Sequence, residues 1–240
     1  MEKLRETLSD LIHRFDDPQA FRQKLESLVS VYPFSEFEYI ISYLLAEKRL
    51  TTEEYETLRQ EYIDRNLYLP LFEISAPRGF GDTWGVGQVL QLAPAMKRPS
   101  KKLDPAYTGE YDLWLPPGIK IEIKASRGVD FEKPGEPLYI KALNSHSQRP
   151  FDMNFQQLKP ACCHVFVWIA VWRDEITYWV LNSDEVKAHK DFSPGQHRGN
   201  VGEGQLHVTR ENIQSLDKFE AQSNEIESPV RKAFDRLKGK

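Results

Sequence analysis

The sequence predicts an α/β chain of the α+β kind. A helical subdomain spans residues 1–70, and strands and helices mix over residues 71–240. Three observations carry this reading. Apolar residues recur at helical spacing through the first 65 residues. The stretches 111–125 and 164–181 instead alternate, or run apolar in strand-length blocks. Proline and glycine become frequent only after residue 70, where β-branched and aromatic runs begin.

The first helix is marked by Leu4, Leu8, Leu11, Ile12 and Phe15 on one face. Asp17-Pro18 stops it and starts a second, with Asp17 as N-cap and Pro18 in the first turn. Phe21, Leu25, Leu28, Val29 and Tyr32 continue the period to Pro33. Ser35 with Glu38, and Thr51 with Glu54, have capping-box spacing and open the third and fourth helices. These last two, joined by residues 47–51, have the layout of a helix-turn-helix. Residues 1–70 carry 9 Lys and Arg against 14 Asp and Glu. That sign favours a structural or dimerising bundle, because a DNA-docking helix needs a basic face.

Beyond residue 70, Gly79-Phe80-Gly81-Asp82 reads as a turn, and Thr83–Ala95 as a helix weakened by Gly85 and Gly87. Lys97, Arg98, Lys101 and Lys102 make an exposed basic loop. Tyr111–Leu115 and Ile119–Ala125 flank Pro116-Pro117-Gly118 as one hairpin. His164–Trp172 and Ile176–Leu181 flank residues 173–175 as another. Residues 127–153 read as a polar loop. Asn154–Lys159 reads as a short helix ended by Pro160, and Gln205–Thr209 as a strand. Two helices close the chain, the last begun by Ser228-Pro229. The five tryptophans, Trp84, Trp114, Trp168, Trp172 and Trp179, mostly fall in strand patterns and are expected in the core.

Composition narrows the function. Hydrophobic residues make up 40% and charged residues 28%, the balance of a globular chain. No run of about 18 apolar residues occurs, which excludes a membrane-spanning helix. The N-terminus lacks an apolar signal core, so a cytoplasmic location is expected. Net charge is −4, which argues against a non-specific nucleic-acid coat. The adjacent cysteines, Cys162 and Cys163, cannot frame a fold by disulfides. With His164 they lack the spaced ligands of a zinc site.

The chemistry sits at residues 109–124. Ile119, Ile121 and Ile123 alternate with Lys120, Glu122 and Lys124. A strand therefore sends the isoleucines to the core and shares the other face among an acid and two bases. If the turn at 116–118 pairs Leu115 with Ile119, Asp112 lies opposite Glu122. Opposed carboxylates repel unless a cation lies between them, and hard oxygen donors suit Mg²⁺. Lys124, beside the pair, can position a water and stabilise charge developing on a phosphorane. A second acid-x-Lys triplet, Glu185-Val186-Lys187, follows a helix start at Asn182-Ser183-Asp184 and has no partner acid on an adjoining strand. It is a decoy.

An Asp on one strand, a short turn, then Glu-x-Lys on the next strand resembles the PD-(D/E)XK nuclease superfamily, and type II restriction endonucleases most of all. Asp112 matches the first acid, Glu122 the second and Lys124 the lysine. Tyr111 stands where the family often has proline. The likeness covers roughly residues 75–182. It implies a restriction-endonuclease-like mixed β-sheet flanked by helices. It also implies Mg²⁺-dependent cleavage of double-stranded DNA at a specific sequence, with Mn²⁺ able to substitute, and a homodimer. By the same resemblance the Ile123 carbonyl joins Asp112 and Glu122 as a metal ligand, and Gln156 and Gln157 support the site. Some members add an acid from the early helix. Thr83–Ala95 contains none, and Gln88 is its long polar candidate.

DNA contacts are expected from Lys101 and Lys102 and from the loop after the active strand: Ser126, Arg127, Lys133, Lys141, Asn144, His146, Gln148 and Arg149. His197 and Arg198 are lesser candidates. Two alternatives remain. One is a structure-specific repair or recombination nuclease of the same superfamily. The other is a non-catalytic regulator that uses the helix-turn-helix layout of residues 35–65.

Overall fold

A computed structural model describes residues 2–26, 36–76, 79–195, 202–222 and 225–239. The chain forms two compact units, Met1–Arg65 and Asn66–Lys240.

The first unit is all helix: α1 (Glu2–Ile12), α2 (Pro18–Glu26), α3 (Glu36–Ala46) and α4 (Thr52–Asp64). Leu8, Leu11, Ile12, Phe21, Ile40, Leu44 and Leu50 form its core. Local chemistry sets the helix starts. Asp17 Oδ1 accepts the Ala20 N–H at 2.9 Å. Thr51 and Glu54 complete a reciprocal capping box. The proposed cap at Ser35 and the apolar positions 28–33 lie outside the described residues. Helix α4 buries no side chain and carries Glu53, Glu54, Glu56, Glu61 and Asp64 against the single base Arg59.

The second unit is α+β, with a mixed sheet flanked by helices. Its strands are β1 (Leu113–Leu115), β2 (Ile119–Arg127), β3 (Val129–Asp130), β4 (Phe151–Leu158), β5 (Val165–Val171), β6 (Ile176–Asn182), β7 (Phe192–Ser193), β8 (Gly204–Thr209) and β9 (Glu220–Ala221). The main sheet runs β1-β2-β5-β6-β9. Among the described residues, only β2 and β5 pair in parallel. A second, antiparallel sheet runs β3-β4-β8-β7. Helices α5 (Val86–Leu92), α6 (Ser183–Lys187) and α7 (Glu227–Lys238) complete the unit. No helix among the described residues is long and apolar enough to cross a membrane.

Strand β5 explains the layering. Every one of its residues is buried. Val165, Val167 and Ile169 join Val86, Val89, Val230 and Ala233 of α5 and α7 in one core. Phe166, Trp168 and Ala170 join Met153, Phe155, Leu206 and Val208 of the second sheet in another. A strand covered on both faces needs an unbroken apolar run, and Val165–Val171 is one. Trp168, Trp172 and Trp179 are buried, and Trp84 and Trp114 are half-buried against the cores.

Three local expectations change. Asn154–Lys159 is not a helix, because Phe151, Met153 and Phe155 alternate into the second core and draw the segment into β4. Gln156-Gln157 is a β-bulge, with Gln157 at φ +54°, and this breaks the alternation that would have shown the strand. The polar loop 127–153 contains β3, and Val129 bridges to Ala142. The helix expected from Thr83 begins earlier, as a wide π-type turn over Gly79–Gly85 that continues into α5.

Candidate active site

The β1–β2 hairpin has the register Leu115↔Ile119 and Leu113↔Ile121. Gly118, at φ +145°, closes the turn by donating its N–H to the Leu115 carbonyl at 3.0 Å. One step further along, Asp112 comes level with the Glu122 region. Its N–H donates to the Ile121 carbonyl at 3.0 Å. Its carboxylate Oδ2 accepts the Ile123 N–H at 2.8 Å. The side chain thus takes the place of a ladder carbonyl and lies against β2.

Glu122 and Lys124 share the face expected from alternation. Lys124 Nζ lies 2.7 Å from Glu122 Oε1, with the two side chains only 19% and 12% exposed. Lys120, on the same face, pairs with Asp104 at 2.8 Å. Burial pushes the Glu122 carboxyl up to about 7. Lys124 opposes this rise and Asp112 adds to it. Burial also raises Asp112, against the Ile123 N–H and the Lys124 charge, and Asp82 adds repulsion. Burial thus raises both carboxyls, Glu122 most clearly, beside the Lys124 side chain.

Lys124 opens onto a cleft of about 570 Å³. Its walls include Asp82, Lys124, Ser126 and Arg127, with Asp152, Asn154, Gln156 and Gln157 from β4. Gln156 and Gln157 thus reach the cleft from the bulge and not from a helix. Gln88 turns elsewhere and donates to the Tyr178 hydroxyl at 3.1 Å.

Asp82, which the sequence places in a turn one position before the expected helix, belongs to the first turn of that helix and lines the cleft. An acid in an opening turn is the usual sign of a helix start. Lys159 also lies outside the residues expected at the site. It pairs with the buried Glu203 at 2.9 Å and adds positive potential at Glu122.

The expected DNA-contact residues divide. Ser126 and Arg127 line the cleft. Arg127 is also a structural clamp. It donates to the carbonyls of Leu71 (2.9 Å) and Ile74 (2.7 Å), and its guanidinium lies 3.5 Å from the Phe80 ring centre. Burial lowers it to about 10. Lys133, Lys141, Asn144, His146, Gln148 and Arg149 lie on the excursion between β3 and β4 and do not line the cleft. Arg149 pairs with the buried Asp130 at 2.6 Å, and the Asn144 Oδ1 is buried with no hydrogen-bond partner. Lys101 and Lys102 stand on an exposed turn. His197 and Arg198 lie outside the described residues.

The donor set suits a hard divalent cation. Asp112, Glu122 and the Ile123 carbonyl offer oxygen only, and burial together with their mutual repulsion raises the Glu122 carboxyl. Among the described residues no group of three or more His, Cys, Asp or Glu side chains is gathered to hold a metal. A cation here would complete its shell with water, as Mg²⁺ commonly does. The free cysteines Cys162 and Cys163 form no such group, and burial pushes the Cys163 thiol well up. The decoy lysine, Lys187, sits in α6, where Asn182 and Glu185 form a capping box. Glu185 pairs with Arg236 at 2.8 Å.

No protein-family model matches the chain, and no curated protein matches it either.

Proposed function

We propose that this chain is a Mg²⁺-dependent DNA endonuclease of the PD-(D/E)XK kind, with a restriction-endonuclease-like second unit and a type II-like, sequence-specific activity. The observation that carries the reading is the Asp112 carboxylate clasped to the backbone of β2 between Glu122 and Lys124. An Asp and a Glu-x-Lys on adjoining strands, with Lys124 on the wall of a cleft, are groups that can serve phosphodiester hydrolysis.

Asp112, Glu122 and the Ile123 carbonyl would hold the cation. When bound, it supplies Lewis acidity and a more acidic water. Glu122 holds the Lys124 ammonium at 2.7 Å, where it can orient the attacking water and stabilise the phosphorane charge. Water oxygen bonds to phosphorus, the P–O3′ bond breaks, and O3′ takes up a proton. The products are a 5′-phosphate and a 3′-hydroxyl. A palindromic target would favour a homodimer, since protein symmetry then matches DNA symmetry. The acidic α4 speaks against a regulator that docks this helix in DNA.

The test is digestion of a defined plasmid with Mg²⁺, followed by sequencing of the ends. Discrete products are expected from the wild-type chain. Glu122→Ala and Lys124→Ala should abolish cutting while leaving DNA binding in Ca²⁺ largely intact. Lys187→Ala should cut normally. Full activity in both site variants would sink the assignment.

A further inference from the structure

A strongly charged segment adjoins the centre on the side of Asp112. Residues 97–102 read Lys-Arg-Pro-Ser-Lys-Lys, with four cations and no acid in a chain of net charge −4. Lys97, Arg98, Lys101 and Lys102 are all exposed. None of the four side chains has an ion-pair or hydrogen-bond partner among the described residues.

The segment is fixed at both ends. At its start, Met96 is buried in the first core, and Lys97 exchanges two backbone hydrogen bonds with Trp114 of β1, at 2.9 and 2.8 Å. At its end, the Leu103 and Asp104 N–H groups both donate to the Ser100 carbonyl at 2.9 Å. The Asp104 carboxylate then takes the Lys120 ammonium at 2.8 Å and the Tyr111 hydroxyl at 2.9 Å. The acid nearest in sequence to the four cations is thus engaged with β2 and does not neutralise them. Lys120 serves as the tether.

This fixed arch lies beside the reactive residues. Lys97 stands opposite Trp114, and Trp114 opposite Lys120. Facing residues of antiparallel strands share a face, so Lys97 continues the face that carries Lys120, Glu122 and Lys124. The Arg98 charge reaches the Asp112 carboxyl and lowers it. Like charges held this close repel each other, and the arch contains no counterion. Its complement is a polyanion of closely spaced charges. Each strand of duplex DNA is one, with a phosphate about every 3.4 Å. Phosphate oxygens only accept hydrogen bonds, and ammonium and guanidinium groups only donate them. Other cations expected to hold DNA are already engaged: Arg127 on two carbonyls and Arg149 on Asp130.

We propose that the 97–102 arch is a pre-formed phosphate clamp that grips the backbone of duplex DNA beside the reacting phosphodiester, through Lys97, Arg98, Lys101 and Lys102. The choice of DNA as occupant rests on the nuclease reading of the neighbouring centre.

The test measures binding of the full-length chain to a fixed duplex in Ca²⁺ across a salt series. Each phosphate contact contributes about 0.9 to the slope of log K against log salt. Arg98→Gln should lower the wild-type slope by about that amount, and Lys101→Gln combined with Lys102→Gln by about twice as much. Both should melt like the wild type. Lys133→Gln combined with Lys141→Gln, on the excursion between β3 and β4, should leave the slope unchanged. A second measurement reads position. Mg²⁺ digestion locates the cut, and neutral methylphosphonates are then placed singly beside it. One such replacement should weaken wild-type binding and cost Arg98→Gln nothing further. Unchanged slopes in both arch variants, an equal loss in the excursion variant, or methylphosphonate effects that add fully to Arg98→Gln at every position would each overturn the proposal. Cleavage with unchanged slopes overturns the clamp and leaves the nuclease reading standing. Lowered slopes without any Mg²⁺-dependent cleavage uphold the clamp and remove the nuclease reading. A chain that binds no duplex loses both.

Discussion

The Asp112 carboxylate accepts the Ile123 N–H at 2.8 Å, so an acid of the candidate centre also serves as a rung of the sheet. Its reactive and structural duties are separable. Asp112→Asn keeps an acceptor oxygen and should melt near wild type while losing Mg²⁺-dependent cutting. Asp112→Ala strands a partly buried N–H and should cost about 1–3 kcal/mol as well. Thermal melts beside plasmid nicking distinguish the two, and equal melting temperatures would refute the structural role.

Glu122 gives the site a pH dependence with a definite sign. Its carboxyl is raised in the folded chain from an ordinary 4.5 to about 7. The folded state thus holds a proton that the unfolded state releases. The stability this contributes is full below about pH 4.5 and lost as pH rises through 7. A divalent cation needs the ionised form, so Mg²⁺ should raise the melting temperature more at pH 8 than at pH 6. Glu122→Gln should flatten both trends. A Glu122→Gln melting profile parallel to wild type across this range would contradict the assignment.

Asp82 lines the cleft and repels the Asp112 carboxylate. If it helps hold the cation through water, Asp82→Ala should shift the Mg²⁺ requirement for cleavage upward by about tenfold without abolishing activity. A Mg²⁺ titration reads this directly. An unchanged midpoint would make Asp82 a bystander.

Arg127 divides its donors between two backbone carbonyls and sits over the Phe80 ring. Arg127→Ala should therefore cost about 2–3 kcal/mol of stability, read as a lower urea midpoint. The salt dependence of DNA binding should change little. A steeper loss in binding than in stability would make it a phosphate contact first.

What the sequence disclosed was local. Glu122 and Lys124 follow from alternation over six residues, and β5 from one apolar run. Asp112 needed only a three-residue turn to set its register. The features that stayed hidden depend on distant partners or broken periods. β4 is masked by its own bulge, where Gln156 and Gln157 interrupt the alternation of Phe151, Met153 and Phe155. Asp82 was lost because the helix opens as a wide turn on two glycines. Arg127 looked like a DNA ligand because its carbonyl partners lie more than fifty residues upstream. Nothing in the local pattern marks those carbonyls as its clients.

The parallel pairing of β2 with β5 has a consequence for synthesis. All three reactive residues have been made by Lys124, but the strand that registers Glu122 against Phe166 and Lys124 against Trp168 comes some forty residues later. The cleft wall on β4 also lies in between. A ribosome-bound chain ending before β5 would carry Asp112, Glu122 and Lys124 on the β1–β2 hairpin but lack the buried strand on which β2 is seated. On the nuclease reading, a chain truncated before β5 should neither bind nor cut DNA, because β2 then lacks its parallel partner.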